Sequence, residues 1–200
     1  HPLLATRGVP GTHDIGLALR VLNSLGTTDP VRIPRFDKAR DDRVPEADQP
    51  RFTGPAEIVL FEGWCVGAMP QHASVLATPL NELERTRDPD AAWRRFVNEA
   101  LAGSYQTLFS RIDRLVLLAA PQFDIVKYWR TEQEIALRDQ LRADGRSTMG
   151  TLSADAIAQF VQHYERLTRH ILEEMPDRAD LLIRLDQDRA PISIQARAMC

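Results

Sequence analysis

The sequence predicts an α/β fold in which a parallel sheet is flanked by helices. Three apolar runs, at 57–61, 114–119 and 181–185, are continuous rather than alternating, which is typical of strands buried on both faces. Two stretches of helical period, at 88–112 and 123–142, separate these runs. Buried strands that alternate with helices of crossover length indicate a parallel sheet.

The 200-residue chain has the composition of a soluble globular protein, with 44% hydrophobic and 26% charged residues. Its length and its lack of repeats or linkers predict one domain over residues 1–200. A formal net charge of −3 provides no global basic field, which argues against a nucleic-acid or membrane partner. The two cysteines fit no metal motif and no apolar run is long enough to span a membrane, so a cytoplasmic location is expected.

The N-terminal third begins with an extended segment at 1–13, where prolines and glycines break any helical period. Asp14 is placed to cap a helix over 15–25, and Gly26 is placed to end it. A short strand is predicted at 31–36, weakened by its internal Pro34. The charged stretch that follows, to residue 54, is predicted to be a long loop.

The later elements begin with the strand at 57–61. Asp88-Pro89-Asp90 starts a helix whose apolar side chains recur every three or four positions to about Ile112. The remaining predicted elements are a strand at 114–119, a helix at 123–142, a helix capped by Ser153 and running to Met175 before Pro176, and a strand at 181–185.

Polar side chains follow the first two predicted strands, where ligands bind in open parallel sheets. Glu62 comes directly after the 57–61 run, and a carboxylate there is costly unless it is paired, hydrogen-bonded or bound to a cation. We therefore predict a catalytic role for Glu62, the alternative being a turn cap beside Gly63. Four side chains after the first strand are candidates for an anionic, hydroxylated substrate, the alternative being a solvated loop: Asp37, Lys38, Asp42 and Arg43.

The run RGVPGTHD at 7–14 contains three further candidate substrate ligands. A lone Arg beside a turn, such as Arg7, is usually a surface residue, but the neighbouring glycines and proline restrict the backbone, which slightly favours a ligand contact. His13 is predicted to touch substrate. Asp14 is a candidate ligand as well, although a helix cap is the simpler interpretation.

The helix at 123–142 carries cations that could meet a phosphoryl group. Arg130, Glu134 and Arg138 recur at four-residue spacing and share one face, and Lys127 lies one turn before Arg130. One hypothesis is a lid in which Lys127, Arg130 and Arg138 contact nucleotide and Arg130 stabilises the charge of the transferring group. The alternative is an exposed, ion-paired helix face.

Several of these motifs together resemble the D-glycerate 3-kinase family, which is similar to uridine kinase, phosphoribulokinase and pantothenate kinase. The motifs occur in the family's order over nearly the whole chain: RGVPGTHD (7–14), IPRFDKARDDR (33–43), IVLFEGWCVG (58–67), YWRTEQEIALR (128–138) and HYERLTRHILEEMP (163–176). The resemblance implies a P-loop NTPase-like kinase fold. It also implies phosphoryl transfer from ATP, with Mg²⁺, to the 3-hydroxyl of D-glycerate, with this chain supplying the substrate and lid portions.

The phosphate-binding pattern G-x-x-x-x-G-K-[ST] of such kinases does not occur in the sequence, which has lysine only at 38 and 127. The resemblance places this loop and the catalytic base upstream of His1, so we expect an N-terminally incomplete domain that is inactive alone. The alternative function is that of an inactive P-loop kinase remnant serving as a binding or interaction domain. Self-association is also expected, because apolar strands would have exposed edges.

Overall fold

The computed structural model describes residues 1–37, 40 and 42–197, and it contains two compact units. The small unit is Asp14–Gly63, and the large unit combines His1–His13 with Trp64–Cys200. The prediction of one domain stays a prediction. Of the predicted site residues, Lys38 lies outside the described residues.

The small unit begins with helix α1 (Ile15–Leu25), whose two ends are those that the sequence predicts. Asp14 Oδ1 accepts a hydrogen bond of 2.9 Å from the Leu17 N–H, and Gly26 follows the last turn. The cap satisfies one of the N–H groups that a helix start leaves without partners. The simpler interpretation of Asp14 is therefore confirmed.

Four two-residue strands follow in the small unit: β1 (Val31–Arg32), β2 (Phe36–Asp37), β3 (Asp42–Arg43) and β4 (Arg51–Phe52). β1 pairs antiparallel with β4, and β2 pairs antiparallel with β3. A 3-10 helix at Glu46–Asp48 lies between β3 and β4. The predicted strand at 31–36 is divided at Pro34, which has no N–H to donate. The prediction of an unstructured loop to residue 54 is wrong, because its backbone forms these paired strands.

The apolar run at 57–61 is not a strand, so this prediction is wrong. Ile58 is 88% exposed and Leu60 is 91% exposed, and both have irregular backbone. A strand requires a hydrogen-bonded neighbour, and none of the described residues supplies one for this run. Glu62, which follows, is exposed as well. The buried strand end that motivated its catalytic role is therefore absent, and that role stays a prediction.

The large unit is mainly helical. Its helices are a 3-10 turn at Pro2–Ala5, a 3-10 turn at Ala73–Ala77, α2 (Glu82–Arg87), α3 (Ala92–Ala100), a π-helical turn at Leu101–Tyr105, α4 (Gln106–Phe109), α5 (Asp124–Ala143), α6 (Ala154–Glu174) and a 3-10 turn at Met175–Asp177. None of the helices in the described part of the chain is long and apolar enough to cross a membrane. α5 and α6 confirm two predicted helices, and Ser153 Oγ caps α6 through the Ala156 N–H.

The predicted single helix at 88–112 is wrong because the chain forms three successive segments there. α3 begins later than predicted, and the Asp88 carboxylate accepts hydrogen bonds from the N–H groups of Trp93, at 2.7 Å, and Arg94, at 3.2 Å. The π-helical turn after α3 contains Gly103, whose φ and ψ of −95° and −110° are not helical. A residue without a side chain tolerates this geometry at low cost.

The large unit also contains a three-stranded sheet of order β5 (Val116–Ala119), β6 (Leu181–Leu185), β7 (Pro191–Ala196). β5 and β6 are parallel, as predicted, but β6 and β7 are antiparallel. The sequence analysis missed β7, which has no clear apolar pattern. A larger parallel sheet is not confirmed.

The two faces of this sheet differ in exposure although both are apolar. Leu117 and Leu182, which are cross-strand partners, are buried. On the opposite face, four side chains are between 50% and 66% exposed, and we call this the exposed sheet face: Val116, Leu118, Ile192 and Ile194. Leu118 and Ile194 both pair with Ile183, so they lie side by side across the sheet.

The contrast between the faces predicts unequal effects of the same substitution. Leu117→Ala should lower the free energy of unfolding by roughly 2–5 kcal/mol, because it leaves a cavity in the core. Leu118→Ala should change it by less than about 0.5–1 kcal/mol, because the side chain is 62% exposed. Urea denaturation of both variants measures the difference, and equal losses would contradict the assignment of the two faces.

Candidate functional site

The segment from Arg7 to His13, which we call the Arg7–His13 loop, is held by a tyrosine at each end. Tyr164 Oη donates a hydrogen bond of 2.7 Å to the Arg7 carbonyl. Tyr105 Oη accepts a hydrogen bond of 3.0 Å from the Gly11 N–H and lies 2.6 Å from His13 Nδ1. Tyr105 ends the π-helical turn and Tyr164 lies on α6, so two separate elements fix the loop.

The loop is also braced internally. Gly8 N–H donates to Thr12 Oγ1 at 3.0 Å, and the Thr12 hydroxyl donates to the Val9 carbonyl at 2.7 Å. Gly11 has a φ of +95°, and a Cβ added there would lie 2.5 Å from Phe96 Cε1. Glycine at this position is thus required both by the backbone conformation and by the neighbouring ring.

The loop rests on a small apolar core of Leu3, Val9 and Trp93, all of which are buried. Beside this core is a cavity of about 30 Å³, lined in part by Trp93 and His163. It has room for about one water, and the buried Trp93 Nε1 has no hydrogen-bond partner among the described protein atoms. The cavity is too small for a substrate, so a ligand of the loop would bind on its outer surface.

Arg130 approaches the same part of the large unit. Its guanidinium carbon lies 5.5 Å from the centre of the Phe160 ring, and that ring lies 5.0 Å from the Tyr164 ring. Burial raises the pKa of the Tyr164 phenol, and the charges of Arg130 and Arg7 act in the opposite direction. Tyr164 thus lies between two predicted motifs, bonded to the Arg7 backbone and next to the ring that Arg130 covers.

The face of α5 that carries Arg130 is partly structural. Glu134 is buried, and its Oε2 lies 2.9 Å from Arg130 Nη2 while its Oε1 accepts from the Leu152 N–H at 2.7 Å. Arg138 donates to the Leu152 carbonyl at 3.0 Å and to Thr151 Oγ1 at 3.2 Å. These bonds attach the segment before α6 to α5, and the contact of Arg138 with nucleotide stays a prediction.

Two other side chains complete the chemistry of the large unit. Lys127 is exposed on α5, where it would be accessible to a ligand. Cys65 is buried, and burial raises the pKa of its thiol to about 11, so it is protonated at neutral pH and poorly suited to act as a nucleophile.

The remaining predicted site residues belong to the small unit. Arg43 Nη1 lies 3.1 Å from Asp14 Oδ2, and Asp37 and Asp42 are opposite each other in the β2–β3 pair. The Leu17 N–H and the Arg43 guanidinium both lower the pKa of Asp14, the first more than the second. Asp42 Oδ1 accepts from the Arg43 N–H at 2.7 Å. The substrate-binding roles of these side chains stay predictions.

The sequence analysis did not select Tyr105 or Tyr164 as site residues. Tyr105 was assigned to the apolar face of the helix at 88–112, and Tyr164 was a position in the last helix. Their hydroxyl groups bond to residues 92 and 157 positions away, respectively. A local pattern carries no signal for contacts over such separations.

The histidine that supports the loop from α6 predicts a pH dependence of stability. His163 Nδ1 donates to the Phe160 carbonyl, and its Nε2 lies 3.2 Å from the Thr6 hydroxyl. Burial lowers the pKa of His163 below its ordinary value of 6.5. The unfolded chain therefore binds more protons in this range, so stability should fall as pH drops through 6.5 towards the lower folded-state pKa.

Urea denaturation between about pH 7.5 and 5.5 tests this expectation. The free energy of unfolding should decrease over the interval in the unmodified protein and decrease less in His163→Gln. Some dependence should remain in the variant, because burial also lowers the pKa of His13. Identical slopes in the two proteins would rule out His163 as a source.

Comparisons with known proteins provide independent information. No family model matches the chain. The chain is 31% identical, in an alignment of 208 positions, to the uncharacterized kinase mug58 of Schizosaccharomyces pombe. The alignment covers 96% of this chain and 70% of that protein. It is 29% identical, in an alignment of 203 positions, to the chloroplastic D-glycerate 3-kinase of Arabidopsis thaliana. That alignment covers 95% of this chain and 41% of that enzyme.

The fold is shared with a solved structure. The D-glycerate 3-kinase of Cryptococcus neoformans var. grubii matches with a TM-score of 0.74 and 21% identity, over 98% of this chain and 71% of that one. The chain therefore spans part of each of these relatives, and less than half of the Arabidopsis enzyme. On the extent and identity of the match to the Schizosaccharomyces protein, the chain belongs to the family of phosphotransferases that includes D-glycerate 3-kinase.

Proposed function

We propose that the protein acts in ATP-dependent phosphorylation of D-glycerate or a closely similar hydroxy acid, at its 3-hydroxyl, and that this chain supplies the acceptor-binding surface. Family membership supports the reaction class, and two of the relatives are named D-glycerate 3-kinases. In the large unit the acceptor would bind at the Arg7–His13 loop and Arg130.

The observation that carries this proposal is that Tyr164 holds the Arg7 backbone, while the Arg130 guanidinium lies over the neighbouring Phe160 ring. A guanidinium group binds a carboxylate or a phosphoryl group through charge-assisted and bidentate hydrogen bonds. Glycerate has a carboxylate, and its product has a phosphate. A surface with two arginines from different elements, one of them positioned by a buried Glu134, suits a small anion of this kind.

Phosphoryl transfer requires positioning and charge stabilisation more than covalent chemistry by the protein. The acceptor hydroxyl forms a bond to the γ-phosphorus, ADP leaves, and the hydroxyl proton goes to a base. Arg130 and Lys127 are the residues of α5 that would face the phosphates of bound ATP. No group of three or more His, Cys, Asp or Glu side chains in the described ranges could hold a metal ion.

Binding of D-glycerate tests the acceptor assignment. Isothermal titration should show D-glycerate binding to the unmodified chain, with affinity reduced about tenfold or more in Arg7→Gln and in Arg130→Gln. The reason is that a hydrogen bond to a charged group contributes about 1.5–3 kcal/mol. Arg95→Gln is the matched control, since Arg95 is exposed on α3 and bonds to the Asp90 carbonyl.

Three outcomes would oppose the proposal. Unchanged affinity in both arginine variants would remove the proposed surface from the acceptor site. Binding of uridine or pantothenate in preference to D-glycerate would change the acceptor class. A similar loss in Arg95→Gln would show that net charge, rather than position, controls binding.

The exposed sheet face favours a second function, that of an interaction domain without catalytic activity. Four neighbouring aliphatic side chains on this face are at least half exposed, which is unusual for a surface that stays in water. Among the described strands, none pairs with the outer edge of β5. We propose that the occupant is a second copy of this chain, because a two-fold axis would place β5 against β5 and apolar face beside apolar face.

Sedimentation velocity over a range of concentrations tests this association. The average mass should rise with concentration in the unmodified protein and stay near that of one chain in a Leu118→Thr, Ile194→Thr double variant. Met149→Thr is the control, because Met149 is 96% exposed in a loop outside the sheet. If the unmodified chain remained monomeric at all concentrations, the proposal would be contradicted.

A further inference from the structure

The surroundings of Tyr105 determine the direction of its hydrogen bond with His13. Tyr105 is 3% exposed, so each hydrogen-bonding group on its phenol needs a protein partner. Its oxygen makes hydrogen-bond contacts with the Gly11 N–H at 3.0 Å and with His13 Nδ1 at 2.6 Å. A backbone N–H only donates, so the phenol oxygen is the acceptor in the first contact.

The second contact then has one arrangement that satisfies both groups. If His13 Nδ1 carried a proton and donated it, the phenol proton would need another acceptor. Within the described ranges, the hydrogen bonds of Tyr105 Oη provide no acceptor other than His13 Nδ1. A buried hydroxyl whose proton has no acceptor is energetically unfavourable. The phenol therefore donates to Nδ1, which must be unprotonated.

We propose that Tyr105 is a positioning residue that holds His13 as the neutral imidazole with its proton on Nε2. Nε2 is the ring nitrogen that Tyr105 does not hold, and His13 is an exposed residue. Among the described residues, no hydrogen bond occupies Nε2. The ring therefore offers an N–H donor at the surface of the Arg7–His13 loop.

This arrangement specifies what His13 does for a ligand. In this tautomer Nε2–H can donate to a carboxylate, phosphate or hydroxyl oxygen, but Nε2 cannot accept a proton from it. His13 is then a binding residue rather than a general base. This inference rests on the proposed function for the identity of the ligand, while the tautomer is a property of the free chain.

The surroundings of Tyr105 suit a positioning role. Its ring packs edge to face against Phe109, with 5.9 Å between ring centres, and against His13 at the same separation. The π-helical turn that ends at Tyr105 widens the helix there, and such turns are frequent at functional sites. Partial burial of His13 lowers its pKa, which is consistent with a neutral imidazole at neutral pH.

Nitrogen NMR of the ¹⁵N-labelled chain tests the proposal without any ligand. At about pH 8, the His13 ring should show a protonated Nε2 and an unprotonated Nδ1. The resonances are assigned by their loss in His13→Gln. In Tyr105→Phe, the ring nitrogens should shift towards a mixture of both tautomers. Tyr164→Phe is the matched control, because it removes the other tyrosine hydroxyl from the loop and should leave the His13 tautomer unchanged.

A protonated Nδ1 in the unmodified chain would overturn the proposal, even if the variants failed to fold. An unchanged tautomer in Tyr105→Phe would also overturn it. In the same samples, Tyr105→Phe should weaken D-glycerate binding about threefold to tenfold, as expected for loss of a neutral hydrogen-bond donor. Absence of D-glycerate binding with the predicted tautomer intact would instead refute the proposed function alone.

Discussion

The buried ion pair between Asp88 and Arg94 is the constraint on which the large unit depends. The two side chains are 0% and 1% exposed and lie 2.8 Å apart, so neither charge is compensated by water. Asp88 also accepts the first N–H groups of α3, and Arg94 Nε donates to the Leu76 carbonyl at 2.6 Å. The pair thereby fixes where α3 begins. The start of α3 in turn places Trp93 under the Arg7–His13 loop. Removing either partner of the pair would leave the other charge buried and uncompensated.

A second buried pair, between Glu84 and Arg166, attaches α6 to the same region. The contact is bidentate, with 2.7 Å from Nε to Oε1 and 2.6 Å from Nη2 to Oε2. Arg166 also donates to the Thr78 carbonyl, and Glu84 accepts from the Leu80 N–H. Since α6 carries Tyr164 only two residues before Arg166, this pair also helps to fix the position of the loop. The surface loop and the buried ion pair are therefore connected through α6.

Local signals identified the elements whose ends are set by local chemistry. The α1 cap at Asp14 and the α6 cap at Ser153 could be predicted because the capping bond joins residues three apart. The conformation of the run at 57–61 could not be predicted in this way, because a strand requires a hydrogen-bonded neighbouring strand, which hydropathy does not reveal. The same limit applies to the site: Arg7 and Arg130 belong to separate motifs, and they are related only through the tertiary contacts of Tyr164 and Phe160.

The two tyrosines act on opposite ends of the loop in different ways. Tyr164 fixes the backbone beside Arg7, while Tyr105 fixes the ring of His13 and the backbone at Gly11. A ligand that met a loose loop would have to order its backbone and select a tautomer, and both would subtract from affinity. Here folding has already ordered them, through helices whose positions the buried ion pairs determine. For the proposed anion surface, the energetic cost of ordering is therefore met by the core rather than by the ligand.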